Sequence, residues 1–162
     1  MHVRLARPAD AEPIRVIYNV EVVGSTATFD LRPRTPAEQA AWMAEHRGTY
    51  PVTVAVDDED LVLGFGSLSA YRDRPAYSTT VEDSVYVDRA HRGGGAGRAL
   101  LEELVRLATI HGFHTMIARI GGDNEASIAL HRRCGFELVG VEREVGRKFN
   151  RWLDVSVLQA ML

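Results

Sequence analysis

His91-Arg92-Gly93-Gly94-Gly95-Ala96-Gly97-Arg98 directly follows an alternating apolar run, Val81 to Val87, and opens a helical pattern from about Ala99 to His111. A strand that feeds a glycine-rich turn and then a helix presents unpaired backbone N–H groups, and the positive end of the helix dipole, to whatever lies above the turn. An acidic ligand, most simply a phosphate, suits that position. Gly93, Gly94, Gly95 and Gly97 let the backbone approach it closely, and Arg92 and Arg98 add charge at either end. Two phosphate motifs fail on their letters. A P-loop needs lysine and then Ser or Thr after its last glycine, but Gly97 is followed by Arg98 and Ala99. The dinucleotide fingerprint needs glycine at its sixth place, where counting from Gly93 or Gly95 gives Arg98 or Leu100. A glycine-rich turn with only a structural role is the other reading of the stretch.

At 162 residues the chain is one domain's length, residues 1–162, and buries about two-thirds of its unfolded surface. A net charge of −3 argues against nonspecific nucleic-acid binding. The single cysteine, Cys134, cannot form an internal disulfide, which suits a reducing compartment. Neither a signal core after Met1 nor an apolar run of membrane-spanning length is present, so a cytoplasmic protein without a membrane partner is expected.

Outward from the loop, the pattern predicts a first strand at Val3 to Ala6. A helix capped by Asp10 follows, with Ile14, Ile17, Tyr18 and Val22 on one face. Gly24 to Leu31 reads as an irregular loop. Thr35-Pro36 with Glu38 caps a second helix carrying Ala40, Ala41 and Met43. Pro51 to Val56 and Leu61 to Leu68 read as strands joined by a solvated acidic turn, Asp57 to Asp60. Thr79 to Val87 reads as the longest strand, with Val81, Asp83, Val85 and Val87 on one face and Glu82, Ser84 and Tyr86 on the other. After the central helix come a strand from Thr115 to Ile120, a helix from Asn124 to Arg132 broken by Gly135, and an antiparallel pair, Phe136 to Val145 with Trp152 to Leu158. The order β-α-α-β-β-β-α-β-α-β-β predicts an α/β (α+β) fold, a mixed, mostly antiparallel central sheet with helices on both faces.

The run Arg92-Gly93-Gly94-Gly95-Ala96-Gly97 resembles the Arg/Gln-x-x-Gly-x-Gly/Ala loop with which GCN5-related N-acetyltransferases (GNAT) bind the acetyl-CoA pyrophosphate, and the element order is similar to that fold. Further segments resemble the phosphinothricin and methionine sulfoximine acetyltransferase branch. They are Tyr71 to Tyr77 continuing through Thr80 to Val87, Asn124 to His131 with Cys134-Gly135-Phe136, Val145 to Phe149 with Trp152 to Val155, and the early loop with Asn19 and Ser25 to Phe29. The resemblance implies an enzyme that moves the acetyl group of acetyl-CoA, as co-substrate, to the α-amino group of a small amino acid analogue. It also implies a homodimer.

It assigns residues as well. Backbone N–H groups of Gly93, Gly94, Gly95, Ala96, Gly97 and Arg98 hold the CoA pyrophosphate, with Arg92 beside them in the cofactor site. Asn124, with Ser127, contacts the pantetheine arm, and the main chain of Val85, Tyr86 and Val87 holds that arm or polarises the thioester carbonyl. Glu82 resembles the family's base; a carboxylate within an apolar strand is costly to bury unless used or paired, the alternative being a salt bridge with Arg72 or Arg74. Arg72 and Arg74, spaced two apart, point the same way if extended and clamp an acceptor carboxylate or phosphinate, or are ordinary surface arginines. His131 stands where a proton donor to the CoA sulfur is expected, an imidazole being able to serve, and a histidine packed at a helix end is the plainer reading. Phe29, Tyr86 and Lys148 line the acceptor pocket, Lys148 as a second anion contact, unless these are core residues. His131 and Cys134 lack further ligands, so no metal is expected. Other amines (a polyamine, an antibiotic or a protein N-terminus) and a noncatalytic acyl-CoA-binding module are the competing functions.

Overall fold

The computed structural model describes residues 1–162. In chain order the elements are β1 (His2–Leu5), α1 (Ala11–Gly24), α2 (Pro36–Glu45), β2 (Val52–Val56), β3 (Val62–Ala70), β4 (Thr80–Val87), α3 (Ala96–Ile110), β5 (Thr115–Gly121), α4 (Glu125–Arg133), β6 (Glu137–Lys148) and β7 (Arg151–Met161). One seven-stranded sheet runs β1-β2-β3-β4-β5-β7-β6. Every neighbouring pair is antiparallel except β4 with β5. The fold is therefore the mixed, mostly antiparallel sheet with helices on both faces that the pattern predicts.

Each face has its own core. On one side α1 buries Ile14, Ile17, Tyr18 and Val22 against Val52, Val54, Val56, Val62 and Phe65. On the other, α3 buries Leu101, Leu104 and Ala108 against Val81, Met116, Ala118, Ile120 and Leu158, with Ile128 and Leu130 of α4 packed alongside. Fully burying a leucine or valine side chain is worth about 1.5–3 kcal/mol, so these two stripes fix the helices on the sheet. No helix is long and apolar enough to cross a membrane.

The pattern misjudged some details. Asp10 does not cap α1 through its side chain; it accepts from the Arg7 N–H at 2.6 Å and pairs with Arg4 at 2.7 Å, closing the turn before the helix. The Thr35–Glu38 capping box forms and Met43 packs inward as expected, but Ala40 and Ala41 face solvent, and Trp42 packs beside Met43 in their place. The acidic turn is solvated as expected, Asp58, Glu59 and Asp60 all being exposed, and Asp60 also pairs with Arg4 at 2.9 Å. The longest strand is not β4 but β6, at 12 residues. It and β7 extend to a two-residue turn, because Phe149 and Asn150 adopt left-handed φ values of 50° and 58°, the geometry of a tight hairpin. The central helix begins at Ala96 rather than Ala99, since Gly95, at φ 89°, turns the chain directly into the first helical turn.

The parallel contact positions everything that follows. β4 pairs with β5 only from Thr80 to Glu82, opposite Thr115 to Ile117. Beyond that, β4 stays on β3 as far as Val87 and β5 stays on β7 as far as Gly121, so the two strands part.

Candidate active site

The parting of β4 and β5 makes a slot through the sheet. Asp83, Ser84, Val85 and Tyr86 line one side, Ala118 to Gly121 the other, and Asn124, Ser127 and His131 of α4 and its cap close one end. The Asp88 N–H bonds the Leu63 carbonyl at 2.9 Å, while the Thr79 carbonyl accepts from His114 on the β5 side. By strand alternation the main-chain groups of Asp83, Val85 and Val87 face β5, where no strand lies opposite beyond Glu82. Val85 and Val87 therefore present backbone donors and acceptors to the slot. Tyr86 does not: its amide faces β3, and its ring stacks on Phe65 at 5.3 Å on the α1 side.

At the far end of β4 lies the glycine loop. Gly93 and Gly95 have φ values of 81° and 89°, which favour glycine, and a Cβ built at either meets nothing within 4 Å. The surface above the loop is open, and the first N–H groups of a 15-residue helix point out of it. Gly97, in the first turn, sits on Val87 and Leu130, and Ala96 is buried. Main-chain donors over an open, Cβ-free cradle suit a diphosphate. The two flanking arginines are otherwise engaged: Arg92 pairs with Glu21 at 2.8 Å and Arg98 with Glu102 at 2.7 Å. The cradle's attraction for an anion rests on its amides.

Glu82 is the last residue of β4 paired with β5 and sits at the apex of the slot. Its half-buried carboxylate makes no hydrogen bond or ion pair, so the salt bridge to Arg72 or Arg74 is not formed. Burial raises its pKa, Arg119 works against the rise, and Asp83 and Glu142 add to it. Arg72 lies over the rings of Tyr71 and Tyr77, at 4.8 and 5.4 Å, and Arg72 and Arg74 are both exposed on the turn before β4.

Asp83, on the opposite face, carries a second acid–base pair. His131, 4% exposed, bonds Asp83 through Nε2 at 3.0 Å and the Ser127 carbonyl through Nδ1 at 2.8 Å. Both partners are acceptors, so the arrangement calls for an imidazolium donating from both nitrogens. Burial pulls its pKa down, but the hydrogen bond and charge of Asp83, with the Ser127 carbonyl, outweigh this and raise it. Donation to a thiolate therefore requires His131 to release one of these bonds. Asn124 uses its side-chain oxygen to cap α4, accepting from Ser127 N–H at 3.1 Å.

Phe29 lies between Gly121 and Gly146; a Cβ at either would run into its ring. Lys148 is buried and donates to the Thr28 carbonyl at 2.8 Å, tying β6 to the same loop, and burial lowers its pKa against the pull of Asp30 and Glu21. Lys148 thus braces the loop that carries Phe29. Burial also pushes the Cys134 thiol up, which leaves it a poor nucleophile. No group of three His, Cys, Asp or Glu side chains is arranged to hold a metal.

Sequence reasoning missed Asp83, Arg119 and Glu21. Asp83 had a signal: a carboxylate on the apolar face of β4, beside Val81 and Val85, demands a buried partner. Glu21 and Arg119 had none, their partners being far away in the chain.

The family model described as the acetyltransferase (GNAT) family matches residues 15–136. Over 99% of its length the chain is 43% identical to the L-methionine sulfoximine/L-methionine sulfone acetyltransferase of Pseudomonas paraeruginosa, covering 94% of that protein. The crystal structure of a phosphinothricin acetyltransferase from Sinorhizobium meliloti in complex with AcCoA superposes with a TM-score of 0.96 at 44% identity, over 99% of this chain and 87% of that one. A ribosomal-protein-alanine N-acetyltransferase from Brucella melitensis also gives 0.96, at 38% identity and 100% coverage of both chains.

Proposed function

The chain belongs to the acetyltransferase (GNAT) family, and on that premise we propose that the amine it acetylates is the α-amino group of a small amino acid analogue of the phosphinothricin, methionine sulfoximine or methionine sulfone type. The observation that carries the reading is the slot: an unpaired carboxylate at its apex, bare main chain along one wall, and a Cβ-free amide cradle at its mouth.

Acetyl-CoA supplies the activated acetyl group. Amides of Gly93 to Arg98 hold its diphosphate, and the main chain of Val85 and Val87, with Asn124 and Ser127 at the end of the slot, holds its amide-bearing arm. One of these strand N–H groups polarises the thioester carbonyl. Glu82 takes the ammonium proton, directly or through a water; its raised pKa makes it a better base than an exposed glutamate. His131 is held charged by Asp83 beside the slot and provides the proton for the departing thiolate on breaking one of its two bonds.

The protein works as a homodimer in this reading. Leu138, Val139, Val141 and Val145 on the edge strand β6, with Trp152 on β7, are exposed apolar residues in support of it.

Thiol release with a panel of amines tests the substrate class. Turnover on phosphinothricin, methionine sulfoximine or methionine sulfone well above that on spermidine or an alanine-ended peptide is the expected result. A preference for the peptide or the polyamine would overturn the acceptor class, and CoA binding without turnover on any amine would make the chain a binding module.

A further inference from the structure

Three facing residue pairs run along the α1 side of β3 and β4: Phe65 with Tyr86, Ser67 with Ser84, and Ser69 with Glu82. Above this row lies a cavity of about 200 Å3, roofed by Arg34, Tyr18 and Trp42. It shares Ser84 and Tyr86 with the slot, so the two spaces adjoin along β4 at the residues that follow Glu82. Nothing in the reaction as derived above uses Arg34.

Arg34 is held in place by its backbone, not by its charge. Its N–H donates to Asn19 at 2.8 Å, and its carbonyl accepts from Asn19 at 2.9 Å and from Arg15 at 3.0 Å. The guanidinium lies over the ring of Tyr18 at 3.9 Å and faces Trp42 at 4.9 Å. Its one hydrogen bond is a long one, 3.4 Å to Gln39, and it has no ion pair; the nearby Asp30 instead accepts from the Tyr18 hydroxyl at 2.7 Å. A stacked guanidinium with unfilled donors, its main chain pinned, is a preorganised receptor for a planar pair of oxygens. The groove on its outer side is bordered by Asp30, Glu45 and the Arg32–Glu38 ion pair, whereas no carboxylate lines the inner cavity, so the oxygens belong in the inner one.

We propose that this cavity takes the side chain of the acceptor, and that Arg34, with the Ser67 and Ser84 hydroxyls, binds an oxygen-bearing tip such as a phosphinate or sulfone. With the amine at Glu82, successive same-face residues of β4 are about 6.7 Å apart, the span of a side chain three or four bonds long. Anionic tips then bind better than neutral oxygenated ones, and both better than a bare thioether. This rests on the amino acid acceptor proposed above and adds the part of the molecule that distinguishes one such acceptor from another.

The test is kcat/KM for phosphinothricin, methionine sulfone and methionine with the wild-type protein and with Arg34→Met. The substitution is expected to lower the phosphinothricin value about 100-fold, the sulfone value about 10-fold and the methionine value less than about 3-fold. Equal losses on all three would place Arg34 at a group they share or in the fold, and unchanged values would remove it from the site; either overturns the proposal. If the wild-type protein acetylates none of the three, the amino acid reading falls, and phosphinothricin titrated against Trp42 fluorescence in a Trp152→Phe background decides the cavity separately. Saturable quenching that Arg34→Met abolishes supports it, and no quenching without that substitution overturns it.

Discussion

Glu82 is half-buried without a partner, a cost to the fold that makes sense only if the charge is used. Its folded pKa is raised, so its contribution to stability is present below the unfolded value and is lost as pH rises through the folded one. Glu82→Gln is therefore expected to leave the melting temperature unchanged or higher at neutral pH. Turnover should fall by about 10²- to 10⁴-fold with CoA affinity preserved, measured by thiol release and calorimetry. His131 follows the same sign, through an ion pair rather than an unpaired acid. Its ion pair with Asp83 stabilises the protein fully below about pH 6.5, and that contribution fades as pH climbs through the raised pKa. His131→Ala leaves Asp83 buried alone, at a cost of about 3–5 kcal/mol, and His131→Ala with Asp83→Ala should recover part of it in chemical denaturation. Alternation showed that Glu82 and Asp83 face opposite sides of β4; which of them had a partner depended on α4, 48 residues away.

The glycine loop was legible because its chemistry is local: consecutive amides, left-handed glycines and a helix start need no distant contact. A bulky β-branched residue cannot adopt the φ of 89° at Gly95, so Gly95→Val should abolish CoA binding by calorimetry. What the loop's letters hid is where Arg92 goes, since Glu21 lies 71 residues away. The terminal hairpin was harder to read. Phe149 is a poor residue for a φ of 50°, so nothing in Lys148-Phe149-Asn150-Arg151 announced a two-residue turn. Phe149→Asn should raise stability by about 1 kcal/mol in denaturant melts, as asparagine tolerates this conformation. The loop from Ser25 to Asp30 is fixed by contacts rather than by its own pattern. Gly146→Ala should push Phe29 out of its place and raise the acceptor KM more than the KM for acetyl-CoA.

Across the whole molecule, element order and two apolar helix faces were enough to specify the layers, because hydrophobic periodicity records which face is buried. Strand order was not readable from any one segment, and neither was the slot, which exists because β4 and β5, two strands joined through α3, stop pairing. Assembly is likewise a property of the whole surface. Trp152→Glu should convert the proposed homodimer to a monomer by light scattering, with its melting temperature then independent of protein concentration. The backbone stitching between β1–β4 and the β5–β7 half is three residue pairs long. The two half-sheets are thus leaves on a short spine, and side chains wedged behind it, Val81 and Met116, both fully buried, set how far they gape. Trimming either would change the gauge of the opening before it changed the topology, so the bore through which a thioester must thread is governed from the dry side of the sheet.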